Sequence, residues 1–343
     1  MCAAMKHALI GAIAPAALAL SMAGTAHAEP VPAPSPAEIV ATAPAGDWVR
    51  IAPTDLMVMD LAADARGRAR RVVIQLMPPP FSQGWVGNIR VLAAAHWWDG
   101  LSVNRVQDNY VVQWGDAEGE DAAKARALPA GLTSVPAAQY DTRVPWVLLN
   151  RPPAAPEFGS YPRLRDATAA GTSFAHGWPI GIEYFARGKG PSGSDGKDAD
   201  PQAAWPVHCY GMVGVGRSMP PDTGSGAELY VVIGQAPRHL DRNIALVGRV
   251  IEGIEHLSSL PRGTGALGFY ETAAERVPIV SIRLAGEIES DKPLPAFEYL
   301  STESASFARY LDARTNRRDA FFIRPAGGVD VCNVPVPVRR VAQ

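Results

Sequence analysis

Short apolar runs separated by turn residues dominate the middle of the chain. Residues 56–61 (LMVMDL) and 71–76 (RVVIQL) read as two strands, and Arg66-Gly67-Arg68 turns the chain between them, so the pair predicts a hairpin. Three prolines, Pro78 to Pro80, stop it. Val86, Ile89, Val91, Leu92 and Ala95 then recur at helical spacing. Val103 and residues 110–113 have the β-branched and aromatic character of strands. Further strands are predicted at 208–213, 227–233, 244–251 and 277–284, with a short helix at 252–260. The strands do not alternate with helices as they would in a parallel sheet. Many short strands with two helices predict a mainly β fold, a closed barrel with helical ends.

The flanks of this pattern read differently. Residues 117–206 interrupt the strands with a helix-like stretch at 121–127, a Pro/Trp-rich stretch at 144–156 and a Gly/Ser/Asp loop at 188–200. This insertion reads as an elaboration of one domain, because the strands that complete the sheet resume after it. Residues 30–45 are rich in Pro and Ala and predict a flexible lead-in, with Trp48 opening the folded part. Beyond 284, residues 301–311 predict a helix. Residues 329–339 predict an extended edge in which Pro335 and Pro337 block one ladder. The resulting organisation is 1–28 leader, 29–47 lead-in, 48–286 main domain and 287–343 C-terminal extension.

The leader changes where the protein is expected to work. Lys6 and His7 precede an apolar run at 8–22, and Ala26-His27-Ala28 offers a small-residue cleavage site before Glu29. The run is short and carries Pro15, which argues against a membrane anchor. A periplasmic, monomeric mature protein with no membrane span is expected. A net charge of -2 over 343 residues argues against binding nucleic acid. Cys2 leaves with the leader. Cys209 and Cys332 remain, either as a disulfide that ties the tail to the core or as two buried thiols. There is no C-x-x-C and the histidines are scattered, so neither a metal nor another cofactor is expected.

The candidate chemistry lies in one segment, Trp98-Asp99-Gly100-Leu101-Ser102-Val103-Asn104-Arg105-Val106-Gln107-Asp108-Asn109-Tyr110-Val111-Val112-Gln113-Trp114-Gly115-Asp116. It resembles the active-site segment of cyclophilins, the peptidyl-prolyl cis/trans isomerases, whose usual form is YDG-x-x-FHRVI-x-x-FM-x-QGGD. Gly226-Ala227-Glu228-Leu229-Tyr230-Val231, then Leu240-Asp241-Arg242 and Ala245-Leu246-Val247-Gly248-Arg249-Val250-Ile251-Glu252-Gly253, resemble the family's NGSQFFI…LDG-x-x-VVFG-x-VIEG in the same order. The resemblance implies a cyclophilin-like closed antiparallel β-barrel with two capping helices. It implies proline-containing polypeptides as substrates and Arg105 as the catalytic residue. It places Tyr110, Val111, Tyr230 and Leu240 around the prolyl ring and Gln113 on the substrate backbone. Val213 and Gly214 stand where the family lines an adjoining peptide groove, and Ile244 where it carries a pocket histidine.

Other positions depart from that pattern. Asn104 replaces a histidine, Trp114 the first glycine of QGGD, Glu228 a glutamine and His239 a tryptophan. Glu228 is expected to compete for the donors of Arg105. A module that binds proline segments without turning them over is the alternative these changes suggest. Three weaker motifs are set aside. Residues 263–268 match G-x-G-x-x-G, with Glu287 further on, but follow no predicted strand. Ser194-Asp195-Gly196-Lys197 matches the S-x-x-K of β-lactamases but sits in a Gly/Ser loop, so a hydrolase is not expected. Asp195, Asp198 and Asp200 lack the spacing of a calcium loop.

Overall fold

The computed structural model describes residues 33–143, 166–184, 201–288 and 294–341. The leader, the 144–156 stretch, the 188–200 loop and the S-x-x-K motif lie outside the described residues. Helix α1 (Pro36–Ala41) precedes strands β1 (Trp48–Arg50), β2 (Leu56–Leu61) and β3 (Arg70–Leu76). Helix α2 (Gln83–Ala94) leads to β4 (Ser102–Val106) and β5 (Val111–Gly115). The insertion contributes β6 (Gly171–Ala175), β7 (Trp178–Tyr184) and β8 (Pro201–Pro206). Then follow β9 (Met212–Val215), β10 (Leu229–Val232), β11 (Leu246–Glu252), helix α3 (Glu255–Ser258) and β12 (Val277–Leu284). The tail holds β13 (Phe297–Leu300), helix α4 (Ala305–Asn316) and β14 (Val338–Arg340).

Eight strands close into a barrel in the order β10-β5-β4-β12-β2-β3-β11-β9. Every ladder is antiparallel. The hairpin of β2 and β3 pairs Met57 with Ile74 and Met59 with Val72, all four fully buried. Helix α2 buries Trp85, Val86, Ile89 and Leu92 in the same core, while of the other positions its spacing predicts Val91 is half-buried and Ala95 is exposed just past the helix end. Closure leaves no free edge in this sheet, and where β4 runs past β12 its carbonyls are met by the 263–270 segment, the Gly263 N–H donating to Val106 and the Tyr270 N–H to Asn104, each at 2.9 Å.

Several predicted elements change at their ends or disappear. Of residues 121–127 only one turn forms, capped by the Asp121 carboxylate, which accepts the Ala123 backbone N–H at 3.0 Å, and no helix continues from it. The strand expected from His208 starts only at Met212, since the His208 N–H is held by Asp241. The helix expected over 252–260 contracts to α3, because β11 runs on to Glu252 and Gly253 turns at φ +84°.

The lead-in is not flexible throughout. Ser35 and Glu38 form a capping box, with the Ser35 N–H donating to Glu38 Oε2 at 2.7 Å and the Glu38 N–H to Ser35 Oγ at 3.3 Å. The helix they start, α1, packs against α4. Strand β1 pairs with β13, which pairs with β14, so both ends of the described chain share one small sheet. The insertion forms a second sheet, β6-β7-β8. Cys209 and Cys332 are joined in a disulfide that spans 123 residues and fastens the tail next to β9.

Candidate active site

The site is built on the hairpin of β4 and β5. The register passes from Val103 opposite Trp114 to Arg105 opposite Gln113, so Asn104 is the extra residue of a bulge. Asn109, in the left-handed region at φ +49°, closes the turn between the strands, a conformation asparagine tolerates well. The turn brings Gln107 and Tyr110 back beside Arg105.

Arg105 is half-buried and held from three sides. Its Nε donates to the Leu267 carbonyl at 2.8 Å, Nη1 donates to Gln113 Oε1 at 3.2 Å, and Nη2 donates to Gln107 Oε1. Its guanidinium carbon lies 5.7 Å from the centre of the Tyr110 ring and 5.2 Å from that of Phe269. All three acceptors are neutral. Burial pulls its pKa below the ordinary arginine value, but a guanidinium remains charged at any physiological pH. Of its five N–H groups, these bonds leave two for a substrate.

Beside the arginine is an apolar cluster separate from the barrel core. Val111, Tyr230 and Val232 form it, with Tyr110 and Ile244 packed against it. Gly214 makes room for Tyr230, since a side chain there would run into the phenol ring. The Tyr230 hydroxyl reaches His208 Nε2 at 2.8 Å, and His208 Nδ1 reaches Asp241 Oδ1 at 2.9 Å. Burial holds His208 below its ordinary pKa and therefore neutral. It then donates from Nδ1 to the carboxylate and accepts at Nε2 from the tyrosine. Asp241 also accepts from Arg238 Nε at 2.6 Å, and Arg238 continues to Asp166 at 2.6 Å.

The structure sorts the residues named from sequence. Arg105, Tyr110, Val111, Gln113, Tyr230 and Ile244 come together. Leu240 is half-buried in the turn after Pro237 and lies outside the cluster. Val213 is fully buried in the barrel core, and Val111 and Tyr230, at 2% and 4% exposed, are buried nearly as deeply in the neighbouring cluster. Trp114 is likewise a core residue. Sequence reasoning missed Gln107, Leu267, Phe269, His208 and Asp241. The glycine-rich run 263–268, set aside as a nucleotide motif, is the turn that offers the Leu267 carbonyl to Arg105. A polar tyrosine hydroxyl on an apolar cluster was the available signal for His208, because a buried hydroxyl needs a partner.

Glu228 does not compete for Arg105. Its Oε1 accepts the backbone N–H of Asp116 at 2.6 Å, over Gly115, whose missing side chain leaves space for the carboxylate. Burial raises its pKa from 4.5 to about 7, while the Asp116 N–H pulls the other way. The amides of Gln113 and Asn104 lie close enough to favour the charged form, yet Oε2 accepts no hydrogen bond. The native state therefore binds this proton more tightly than the unfolded chain, and stability falls as pH rises from about 4.5 through about 7. Glu228→Gln, neutral throughout, is expected to be more stable than the wild type at pH 8 by up to roughly 3 kcal/mol. Urea unfolding at pH 4 and pH 8 checks it: the gap should close at the lower pH, and equal gaps would refute the assignment.

Comparisons with known proteins bear on the family and the fold. The family model for cyclophilin type peptidyl-prolyl cis-trans isomerase/CLD matches residues 71–284. The crystal structure of a cyclophilin from Hirschia baltica is similar at 20% identity and a TM-score of 0.58, covering 86% of this chain and 94% of that one. A cyclophilin type peptidyl-prolyl cis-trans isomerase from Cryptosporidium parvum, crystallised in the presence of the dipeptide Ala-Pro, is 12% identical with a TM-score of 0.33. It covers 66% of this chain and 98% of that one. No curated protein sequence matches the chain. The match spans more than half of the chain, including the whole β4–β5 hairpin and the strands opposite it, and the chain therefore belongs to the cyclophilin-type peptidyl-prolyl cis-trans isomerases.

Proposed function

We propose that this isomerase works through Arg105, on proline-containing segments of exported proteins in the periplasm. An X-Pro bond resists rotation because its C–N bond has partial double-bond character, with a barrier of about 18–20 kcal/mol. As the bond twists, conjugation is lost, the nitrogen becomes pyramidal and its lone pair returns. A donor aimed at that nitrogen is favoured more in the twisted state than in either planar state, which lowers the barrier. The carrying observation is Arg105, fixed by neutral acceptors with two N–H groups unspent at the edge of an apolar cluster. Tyr110 and Ile244, the half-buried members of the cluster, would meet the prolyl ring over the buried Val111 and Tyr230 and exclude water. Gln113, already bonded to Arg105, would hold the substrate backbone with its amide nitrogen.

The export reading rests on the leader pattern and is supported by the disulfide, a bond common in oxidising compartments and rare in reducing ones. The test uses protein recovered from a periplasmic fraction, whose mass should give Glu29 as its first residue. Arg105→Ala is expected to lower kcat/KM for a prolyl peptide on the order of a hundredfold. An unchanged rate would exclude the arginine mechanism. Binding without acceleration by the wild type would leave a proline-segment binding module in its place.

A further inference from the structure

We propose that Asp166 of the insertion and Arg238 are positioning residues for prolyl binding, acting through Asp241 and His208 to fix the Tyr230 ring beneath Tyr110 and Ile244. The proposal rests on the reading of this apolar cluster as the prolyl site.

The chain of hydrogen bonds is unbroken. At its outer end Thr168 holds Asp166: the Thr168 backbone N–H and hydroxyl both donate to Asp166 Oδ1 at 2.7 Å. Arg238 Nη1 donates to Asp166 Oδ2 at 2.6 Å, and Arg238 Nε donates to Asp241 Oδ2 at 2.6 Å. The side chains of Asp166 and Asp241 are each 4% exposed and that of Arg238 is 10% exposed, so water screens these bonds little. The other oxygen of Asp241, Oδ1, accepts from the His208 backbone N–H and from its ring Nδ1, each at 2.9 Å. With its proton held at Nδ1, the neutral ring offers only the Nε2 lone pair, and the Tyr230 hydroxyl donates to it at 2.8 Å.

Phenylalanine would give the cluster the same apolar surface with no hydroxyl to satisfy. Tyrosine adds an anchor. The bond at the para position fixes the direction of the ring axis. The His208 ring, within 12° of parallel and with centres 6.3 Å apart, fixes the ring plane. A rigid floor holds the residues above it in place before the substrate arrives. Asp166 matters because a guanidinium held by one carboxylate can swing, whereas two carboxylates on different nitrogens fix its fork. The insertion grips the same turn again, through Arg242 to Asp141 at 2.9 Å and Glu183 at 3.0 Å. Those side chains are 30% to 45% exposed, so that grip is weak.

The experiment measures kcat and KM for a prolyl peptide, and its Kd by calorimetry, in Asp166→Asn, Tyr230→Phe and the double variant. Asparagine keeps the size of the side chain and an oxygen for Thr168, and removes the charge that holds Arg238. Both KM and Kd should rise about fivefold in each single variant, with kcat within about twofold of the wild type. In the double variant the rise should equal that of Tyr230→Phe alone, because the chain is already cut. A change that merely unfolds part of the sample lowers apparent kcat and leaves KM and Kd where they were. Glu183→Gln, at the exposed pair, should match the wild type. An Asp166→Asn variant with wild-type KM, rises that add in the double variant, or an equal rise in Glu183→Gln would overturn the proposal while Tyr230→Phe kept the prolyl site. Tyr230→Phe with unchanged KM would instead show that the cluster is not the prolyl site. Failure of the arginine mechanism differs again, since it is read in the kcat of Arg105→Ala.

Discussion

Arg249→Ala is expected to lower the unfolding free energy by roughly 4 kcal/mol. Arg249 is buried, and burial pulls its pKa to about 10. Its partners are neutral. Nε and Nη2 donate to Gln75 Oε1 at 2.9 and 2.8 Å, and Nη1 donates to the Gly177 carbonyl at 2.7 Å. Gln75 is its opposite number across the β3–β11 ladder. The guanidinium lies 4.4 Å from the centre of the Trp178 ring and 5.9 Å from that of Tyr299. One side chain thus joins the barrel, the insertion and the tail. Alanine would leave the Gln75 and Gly177 oxygens without donors and open a void beneath Trp178. Arg249→Met keeps much of the volume and removes a charge that has no counter-ion among the described residues, so it should lose less than alanine does. Lysine cannot reproduce a planar fork that serves both acceptors. Denaturant unfolding followed by tryptophan fluorescence reads all three. An alanine variant within about 1 kcal/mol of the wild type would show that this junction contributes little.

Asp241→Ala should cost about 3–5 kcal/mol, because it breaks a buried network at its centre. The Asp241 side chain is 4% exposed and serves His208 through Oδ1 and Arg238 through Oδ2. Removing it leaves the His208 imidazole N–H and its backbone N–H without an acceptor, and leaves Arg238 with Asp166 alone. Tyr230→Phe takes only the far end of the same chain. It strands His208 Nε2 and should cost about 1–2 kcal/mol. The order of the two losses, measured in the same denaturant series, is the check. A tyrosine variant as damaged as the aspartate variant would contradict a network centred on Asp241.

The barrel was legible because its strands carry the pattern that burial demands. Residues 277–284 predict β12 in full, and 56–61 and 71–76 predict β2 and β3 to within a residue. The insertion strands were missed for a physical reason. Gly171, Pro179, Gly181 and Pro201 read as punctuation, yet here they lie in a small sheet whose order is set by packing. Helix α1 was hidden by its Pro/Ala surroundings, although Ser35 three residues before Glu38 is a start signal visible in sequence. At the site, the motif gave the arginine and most of the apolar cluster. It could not give the direction of Glu228. Whether that carboxylate turned to Arg105 or to the Asp116 N–H depended on space above Gly115, a property of two strands at once. The Leu267 carbonyl was equally out of reach, because backbone acceptors leave no mark in side-chain patterns.

The small sheet of β1, β13 and β14 has a consequence for what counts as the minimal enzyme. The family match covers 71–284, but Arg339 stacks 3.7 Å from the centre of the Trp48 ring and Arg340 grips Glu252 of β11 at 2.6 Å. Phe307 of α4 meets Phe174 of the insertion with ring centres 5.0 Å apart. Shearing the chain at the limits of the match would therefore strip a jacket from the catalytic drum and wet aromatic rings that the jacket keeps dry.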